Sequence, residues 1–243
     1  MSPQRTPDGP PPPPAVQKLR IQYARRGRLR YSSTRDFGRA LERALRRAGV
    51  PMAYSAGFHP HPKISYANGA ATGAASEAEY FEISVTERVD PDALGRALDA
   101  ALPDGLDIVS VVEAQPGALA DRLQASRWLL EFPGVELADL DRAVEGFLAQ
   151  ERVEVSRMFK KGMKSYDARE PVIRAQTGLS DEGCAILTMV VRHTTPAVRP
   201  DDVLSAITAA TSFAPTRSPK ATRLAQGIWS SETESVADPL ATD

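Results

Sequence analysis

The chain repeats itself. Displaced by 109 residues, "KLRIQY" (Lys18 to Tyr23) overlays "RWLLEF" (Arg127 to Phe132), and "PKI" (Pro62 to Ile64) overlays "PVI" (Pro171 to Ile173). At the same displacement "VDPDALGRALDAA" (Val89 to Ala101) overlays "VRPDDVLSAITAA" (Val198 to Ala210). A shared offset without gaps means that each half supplies one supersecondary unit of the same kind. Pro91 and Pro200 both sit where a helix starts, since proline lacks only an N–H that the first turn leaves unbonded anyway.

Hydrophobic periodicity orders the elements within each half. The first half reads as a strand at Lys18–Ala24, a helix at Thr34–Ala48, strands near Lys63–Ala67 and Tyr80–Thr86, a helix at Pro91–Leu102 and a strand at Leu106–Glu113. The second has strands near Arg127–Phe132, Val153–Phe159 or Val172–Gln176, Ala185–His193 and Arg223–Trp229, with helices near Leu137–Gln150 and Pro200–Ala210. The order βαββαβ predicts α+β architecture: tandem ferredoxin-like units, antiparallel sheets with the helices on one face. The expected divisions are a disordered Pro-rich start over 1–15, units over 16–116 and 117–229, and a disordered tail over 230–243.

A formal net charge of −1 over 243 residues conceals a polarised distribution. Twelve basic residues lie between Lys18 and Lys63, opposed only by Asp36 and Glu42, so this stretch carries +10 and the remainder −11. In "TRDFGRALERALRRA", Phe37, Leu41, Ala44, Leu45 and Ala48 form one apolar face. Arg35, Arg39, Arg43 and Arg46 fall on roughly the opposite face at about 100° per residue, and Arg47 follows them. Ser33 and Asp36 form an S-x-x-D capping arrangement, and Gly49 and Pro51 stop the helix. Once the apolar stripe buries, the arginines face out, which suits an anionic partner.

"AYSAGFHPHPKISYANGAATGAASEAEY" (Ala53 to Tyr80) follows this helix. Its prolines and Gly57 preclude regular helix, and "NGAATGAASEA" reads as a long hairpin connection. Tyr54, Phe58 and Tyr66 are candidates for stacking on bases, with His61 and Lys63 beside them and the arginines on phosphates. A second basic connection, "SRMFKKGMKSYDAR", adds Lys160, Lys161 and Lys164. His59 and His61 are candidate acid–base groups, with Asp36, Glu77 or Glu79 as acidic neighbours; the alternative is that they pin the loop by hydrogen bonds. No metal is expected, because no second pair of ligands stands at metal-binding spacing. Cys184 is the single cysteine, which excludes an intrachain disulfide and an iron–sulfur cluster held by four cysteines of this chain. No apolar run approaches the roughly 18 residues of a membrane span, and the first residues lack the apolar core of a signal peptide, so a cytoplasmic protein is expected.

The segment from Leu29 to Tyr80, with D-x-x-R-A-x-E-R-A-L-R-R-A followed by Y-S-x-G-F-x-P-H-P-K, resembles the radical SAM-linked (radical SAM-associated) bacterial family, a domain of unknown function. Where that family favours Ser-His-x-Asp, this chain has Ser33, Thr34, Arg35 and Asp36, so a scheme built on that histidine has no counterpart here. The resemblance implies a radical SAM enzyme as partner. The iron–sulfur cluster and S-adenosylmethionine would be bound by that partner, and no cofactor by this chain. Three functions are consistent with these residues. The first is a non-catalytic RNA-binding accessory that presents tRNA or rRNA to a radical SAM modifying enzyme. The others are a protein adaptor docking on such an enzyme without RNA, and an RNA-acting enzyme using His59 or His61.

Overall fold

The computed structural model describes residues 11–241. Two compact units divide them, one comprising the chain up to residue 72 and 78–120, the other 73–77 and 121–241. The class is α+β, with four α-helices among the described residues and strands paired mostly antiparallel. Among the described residues no helix is long and apolar enough to cross a membrane.

In the first unit the chain runs β1 (Gln17–Arg25), α1 (Thr34–Arg47), β2 (Ile64–Ala67), β3 (Ala75–Val85), α2 (Pro91–Ala101) and β4 (Leu106–Glu113). The strands lie in the order β4-β1-β3-β2. Alternation on β1 sends Leu19, Ile21 and Tyr23 into one core with Phe81, Ile83 and Val85 of β3. Leu41 and Leu45 of α1 and Leu98 of α2 close that core. Each such side chain, fully buried, contributes about 1.5–3 kcal/mol of transfer free energy. Tyr23 and Phe37 stack with centroids 4.3 Å apart and planes 3° from parallel, which fixes α1 against β1.

The second unit runs β5 (Ala125–Phe132), α3 (Leu137–Leu148), β6 (Glu154–Phe159), β7 (Gly162–Asp167), β8 (Val172–Leu179), β9 (Ala185–Arg192), α4 (Pro200–Thr211), β10 (Lys220–Ser230) and β11 (Ser235–Ala237). Its strand order is β10-β5-β9-β8, with β11 on β10 and the separate ribbon β6-β7. The first residues of β3 belong to this unit, where Ala75 and Ser76 pair in parallel with Thr222 and Arg223. Pro91 and Pro200, 109 residues apart, each open a helix.

Three sequence expectations need correction. β3 begins at Ala75, so the connection after β2 spans only 68–74. The Ala/Ser/Glu run was read as loop for want of bulky residues, but its small side chains are buried and pair with β10. The alternatives offered for the second half are both strands: Val153–Phe159 overlaps β6, and Val172–Gln176 lies in β8. The predicted disorder over 230–243 is interrupted by β11 and by Leu240, which is 4% exposed. Glycine permits this, because a Cβ at Gly227 would stand 1.9 Å from the Ala237 carbonyl oxygen. Residues 1–10, which make up most of the expected disordered start, lie outside the described residues.

Candidate functional site

Helix α1 forms where capping and amphipathicity agree. Ser33 Oγ accepts from the Asp36 N–H at 3.2 Å and donates to the Asp36 carboxylate at 2.7 Å. That hydroxyl is the main reason the fully exposed Asp36 carboxyl lies below its ordinary range, and the positive charges of Arg39 and Arg35 lower it further. Asp36 therefore sits in the first turn of the helix, held by the Ser33 cap. Gly49, at φ +65°, ends the helix in the left-handed region.

Phe37, Leu41, Ala44 and Leu45 are buried, and Arg35, Arg39, Arg43, Arg46 and Arg47 are exposed. Among the described residues, Arg35, Arg39, Arg43 and Arg46 have no ion pair or hydrogen-bonding side-chain partner. Arg47 differs in donating to the Ala101 carbonyl at 3.2 Å, so it also ties α1 to the end of α2. Glu42 forms no ion pair with Arg46 among the described residues. It lies near Tyr66, whose phenol is raised above its ordinary pKa by burial first and by the Glu42 charge second.

The basic residues ahead of α1 divide differently. Arg20 is 1% exposed; its Nε stands 3.0 Å from Glu82 and its Nη2 donates to Gly117 O at 2.6 Å. Lys18 shares Glu82 at 3.3 Å. Arg25 is buried and donates to the Ala70 and Ala71 carbonyls at 2.9 and 3.0 Å, and Arg26 pairs with Asp107 at 2.6 Å. Much of the +10 read from sequence is thus engaged in the fold, and the outward charge concentrates on α1.

Between α1 and β2 the chain makes an arm rather than an irregular loop. Met52 bridges to Val85 and Tyr54 to Pro62, and the Lys63 N–H donates to Ala53 O at 2.8 Å. At the tip the Ser55 N–H donates to His61 O, while the His61 N–H donates to Ser55 Oγ at 3.0 Å. His61 therefore pins the arm through its backbone. Neither imidazole of His59 or His61 has a hydrogen-bond partner among the described residues, and both residues are exposed. Of the acids proposed as their neighbours, Asp36 is held by the Ser33 cap, Glu77 lies on β3, and Glu79 is buried, accepting from the Ala70 N–H at 3.0 Å.

The aromatics of this segment are open to solvent. Phe58 is 60% exposed, and Tyr54 and Tyr66 are exposed as well. Tyr66 meets Phe37 edge-on at 5.9 Å, and its hydroxyl lies over Gly38 of α1. Thus one unit carries the arginine face, Lys63 and three accessible rings.

In the second unit the expected basic loop is a ribbon. β6 and β7 pair from Glu154↔Asp167 to Phe159↔Gly162 around Lys160 and Lys161. Arg157 forms an ion pair with Asp202 and donates to Ala197 O at 3.0 Å, fastening the ribbon to the start of α4. Burial, followed by Asp202, pushes the Tyr166 phenol up to about 12. Lys160, Lys161 and Lys164 are exposed.

His193 directly follows β9. It is enclosed, with Nε2 2.7 Å from Ser126 Oγ and Nδ1 2.7 Å from Leu123 O. Burial holds its pKa below the ordinary value. Ser126 is 1% exposed, so this pair knits β5 to the end of β9 and offers no accessible nucleophile. Among the described residues no group of three or more His, Cys, Asp or Glu side chains is placed to hold a metal ion.

These features define an α+β protein whose first unit carries an exposed arginine face on α1 and three accessible aromatic rings. Residues 18–200 match the family described as an uncharacterized protein conserved in bacteria, DUF2344, and the chain belongs to that family. No curated protein matches. Solved structures similar in part include a DypB variant from Rhodococcus jostii RHA1 in complex with heme, at 12% identity over 81% of this chain and 84% of that one, with a TM-score of 0.22. The encapsulated DyP-type peroxidase from Mycobacterium smegmatis is 9% identical over 93% and 94% of the two chains, with a TM-score of 0.20. Likeness at these TM-scores carries no argument about the fold or chemistry of this protein.

Proposed function

We propose that the protein is a non-catalytic RNA-binding accessory that presents a structured RNA, tRNA or rRNA, to a modifying enzyme. The observation that carries this reading is the face of α1, where Arg35, Arg39, Arg43 and Arg46 are exposed with no ion-pairing partner among the described residues. Like charges on successive turns of one helix repel one another, by a few tenths of a kcal/mol per close pair, unless an anion lies across them. A phosphate backbone supplies such a series of charges, and arginine meets phosphate in bidentate fashion. Tyr54, Phe58 and Tyr66 on the same unit offer rings to unstacked bases.

The enzyme served is, on the motif resemblance, a radical SAM enzyme; cluster and S-adenosylmethionine would then be bound by that partner, in the cytoplasm. Each unit is read as ferredoxin-like, the two forming a tandem pair. That reading rests on the chain order βαββαβ, the strand orders β4-β1-β3-β2 and β10-β5-β9-β8, and the 109-residue offset, with β6-β7 inserted in the second. The test is recovery of the tagged protein from its native cells with and without nuclease, sequencing RNA and identifying proteins together. A defined RNA, lost when Arg39, Arg43 and Arg46 are changed to Glu, is the expected result. A protein partner that survives nuclease, with no RNA enriched, would reassign the surface to protein docking.

A further inference from the structure

The β6-β7 ribbon forms a sheet of its own and carries its exposed residues in an unusual arrangement. Met158 and Met163 lie directly opposite each other, 67% and 60% exposed. They share a face with Ser156 and Ser165, whose hydroxyls are 2.7 Å apart. Arg157 and Phe159 lie on the other face, with Lys164 Nζ 5.6 Å from the Phe159 ring centroid. Between Arg157 and Lys164 there are four basic residues and no acidic one. Arg157 is occupied by Asp202, which leaves Lys160, Lys161 and Lys164 as exposed charge at and beside the turn. The attachment lies at the other end, where Val155 and Ala168 are buried and the Ala168 N–H donates to Val153 O at 2.9 Å.

A pair of exposed thioethers with two exposed ammonium groups at the adjoining turn, Lys160 and Lys161, and a third, Lys164, on the other face of the ribbon matches a ligand that is anionic along its length and aromatic at intervals. Methionine sulfur packs favourably on aromatic faces, and methionine is among the apolar side chains that nucleic-acid-binding proteins insert against base steps. An acidic protein segment would satisfy the lysines but needs apolar anchors of its own to cover the methionines. A nucleotide strand carries both features in every residue.

We propose that the β6-β7 ribbon is a second RNA contact, in which Met158 and Met163 pack on an unpaired base while Lys160, Lys161 and Lys164 neutralise the flanking phosphates. This deepens the RNA-binding reading and rests on it.

The experiment measures the affinity of the full chain for total tRNA and for a single-stranded oligoribonucleotide at several salt concentrations. Two ribbon variants are compared with the wild type. Met158→Thr with Met163→Thr keeps strand-forming residues in the ribbon and removes the apolar contact; Lys160→Gln, Lys161→Gln and Lys164→Gln removes the charge. Far-ultraviolet circular dichroism checks that each variant folds. The expected result is about a tenfold loss in the methionine variant with an unchanged salt slope, consistent with the loss of one stacked base. In the lysine variant the slope on single-stranded RNA shrinks by about 2, at roughly 0.7 per phosphate contact. Wild-type RNA binding that neither variant disturbs overturns the ribbon proposal and leaves the α1 reading intact. No RNA binding by the wild type overturns both. Unchanged RNA affinity together with loss of a co-purifying protein in the methionine variant assigns the ribbon to a protein partner and also overturns the proposal.

Discussion

Strand β1 and helix α1 draw their arginines from the same basic run, and the structure treats them in opposite ways. Arg20 and Arg25 on β1 are buried, their guanidinium groups donating to carbonyls and, for Arg20, to Glu82. Arg35, Arg39, Arg43 and Arg46 on α1 are exposed and form no ion pair among the described residues. β1 is buried along most of its length on both faces, so a cation there needs a designated partner. A helix with one apolar stripe leaves its far side to water or to a ligand. Charge counts along a sequence do not separate these cases, but the partners of each guanidinium do.

The sharpest way to break the comparison is to exchange the roles of the two sets. Arg20→Met leaves the buried Glu82 only the half-exposed Lys18 ammonium at 3.3 Å, and removing one partner of a buried pair costs about 3–5 kcal/mol. A large fall in Tm is expected, whereas Arg20→Met with Glu82→Leu should recover most of it. Equal losses in the single and double variants would contradict the assignment of Arg20 to the fold. The α1 set should behave conversely: Arg39→Glu, Arg43→Glu and Arg46→Glu each change stability by less than about 0.5 kcal/mol, as for ordinary surface sites. Denaturant midpoints check this, and a triple variant that unfolds would show that the arginines serve the fold after all.

Smaller effects sharpen the contrast between buried and exposed polar groups in the second unit. Gly227→Val places a Cβ against the Ala237 carbonyl, so β11 should detach from β10 at a cost of about 2 kcal/mol. Hydrogen exchange at 235–237 should rise to the rate of an open chain. For His193, burial favours the neutral imidazole, so the unfolded chain takes up its proton first. Its contribution to stability is complete above the ordinary value of 6.5 and is lost as pH falls from there through the lower folded pKa. Thermal melts across that window should show a decline that His193→Gln flattens. In the first unit, Ser33→Ala removes the α1 cap and should cost about 1 kcal/mol, with the Asp36 carboxyl returning toward its ordinary range by NMR titration.

Where local signals were strong, the sequence was a sound guide. α1, α2 and α4 begin at Ser33, Asp90 and Arg199, and the last two carry proline in the first turn, so caps and periodicity agreed. The exposed arginine face followed from that periodicity alone. The first half of β3 was hidden because Ala75, Ser76 and Ala78 are too small to mark a strand, and the partner β10 lies far along the chain. β11 was hidden because its signal is a glycine in another strand. The Ser126–His193 contact joins residues 67 apart and has no local signature. For the segment around His59 and His61 the sequence excluded regular helix and offered pinning by hydrogen bonds as one of two readings. The pinning through the His61 backbone depends on a hydrogen bond that side-chain chemistry does not announce.

The most direct test of the α1 account is the salt dependence of RNA affinity, wild type against Arg39→Gln, Arg43→Gln and Arg46→Gln combined. The account predicts that wild-type affinity for a single-stranded probe falls steeply with salt and that the variant's slope is smaller by about 2, at roughly 0.7 per phosphate contact. A wild-type affinity indifferent to salt, or a slope the three substitutions leave unchanged, would contradict it.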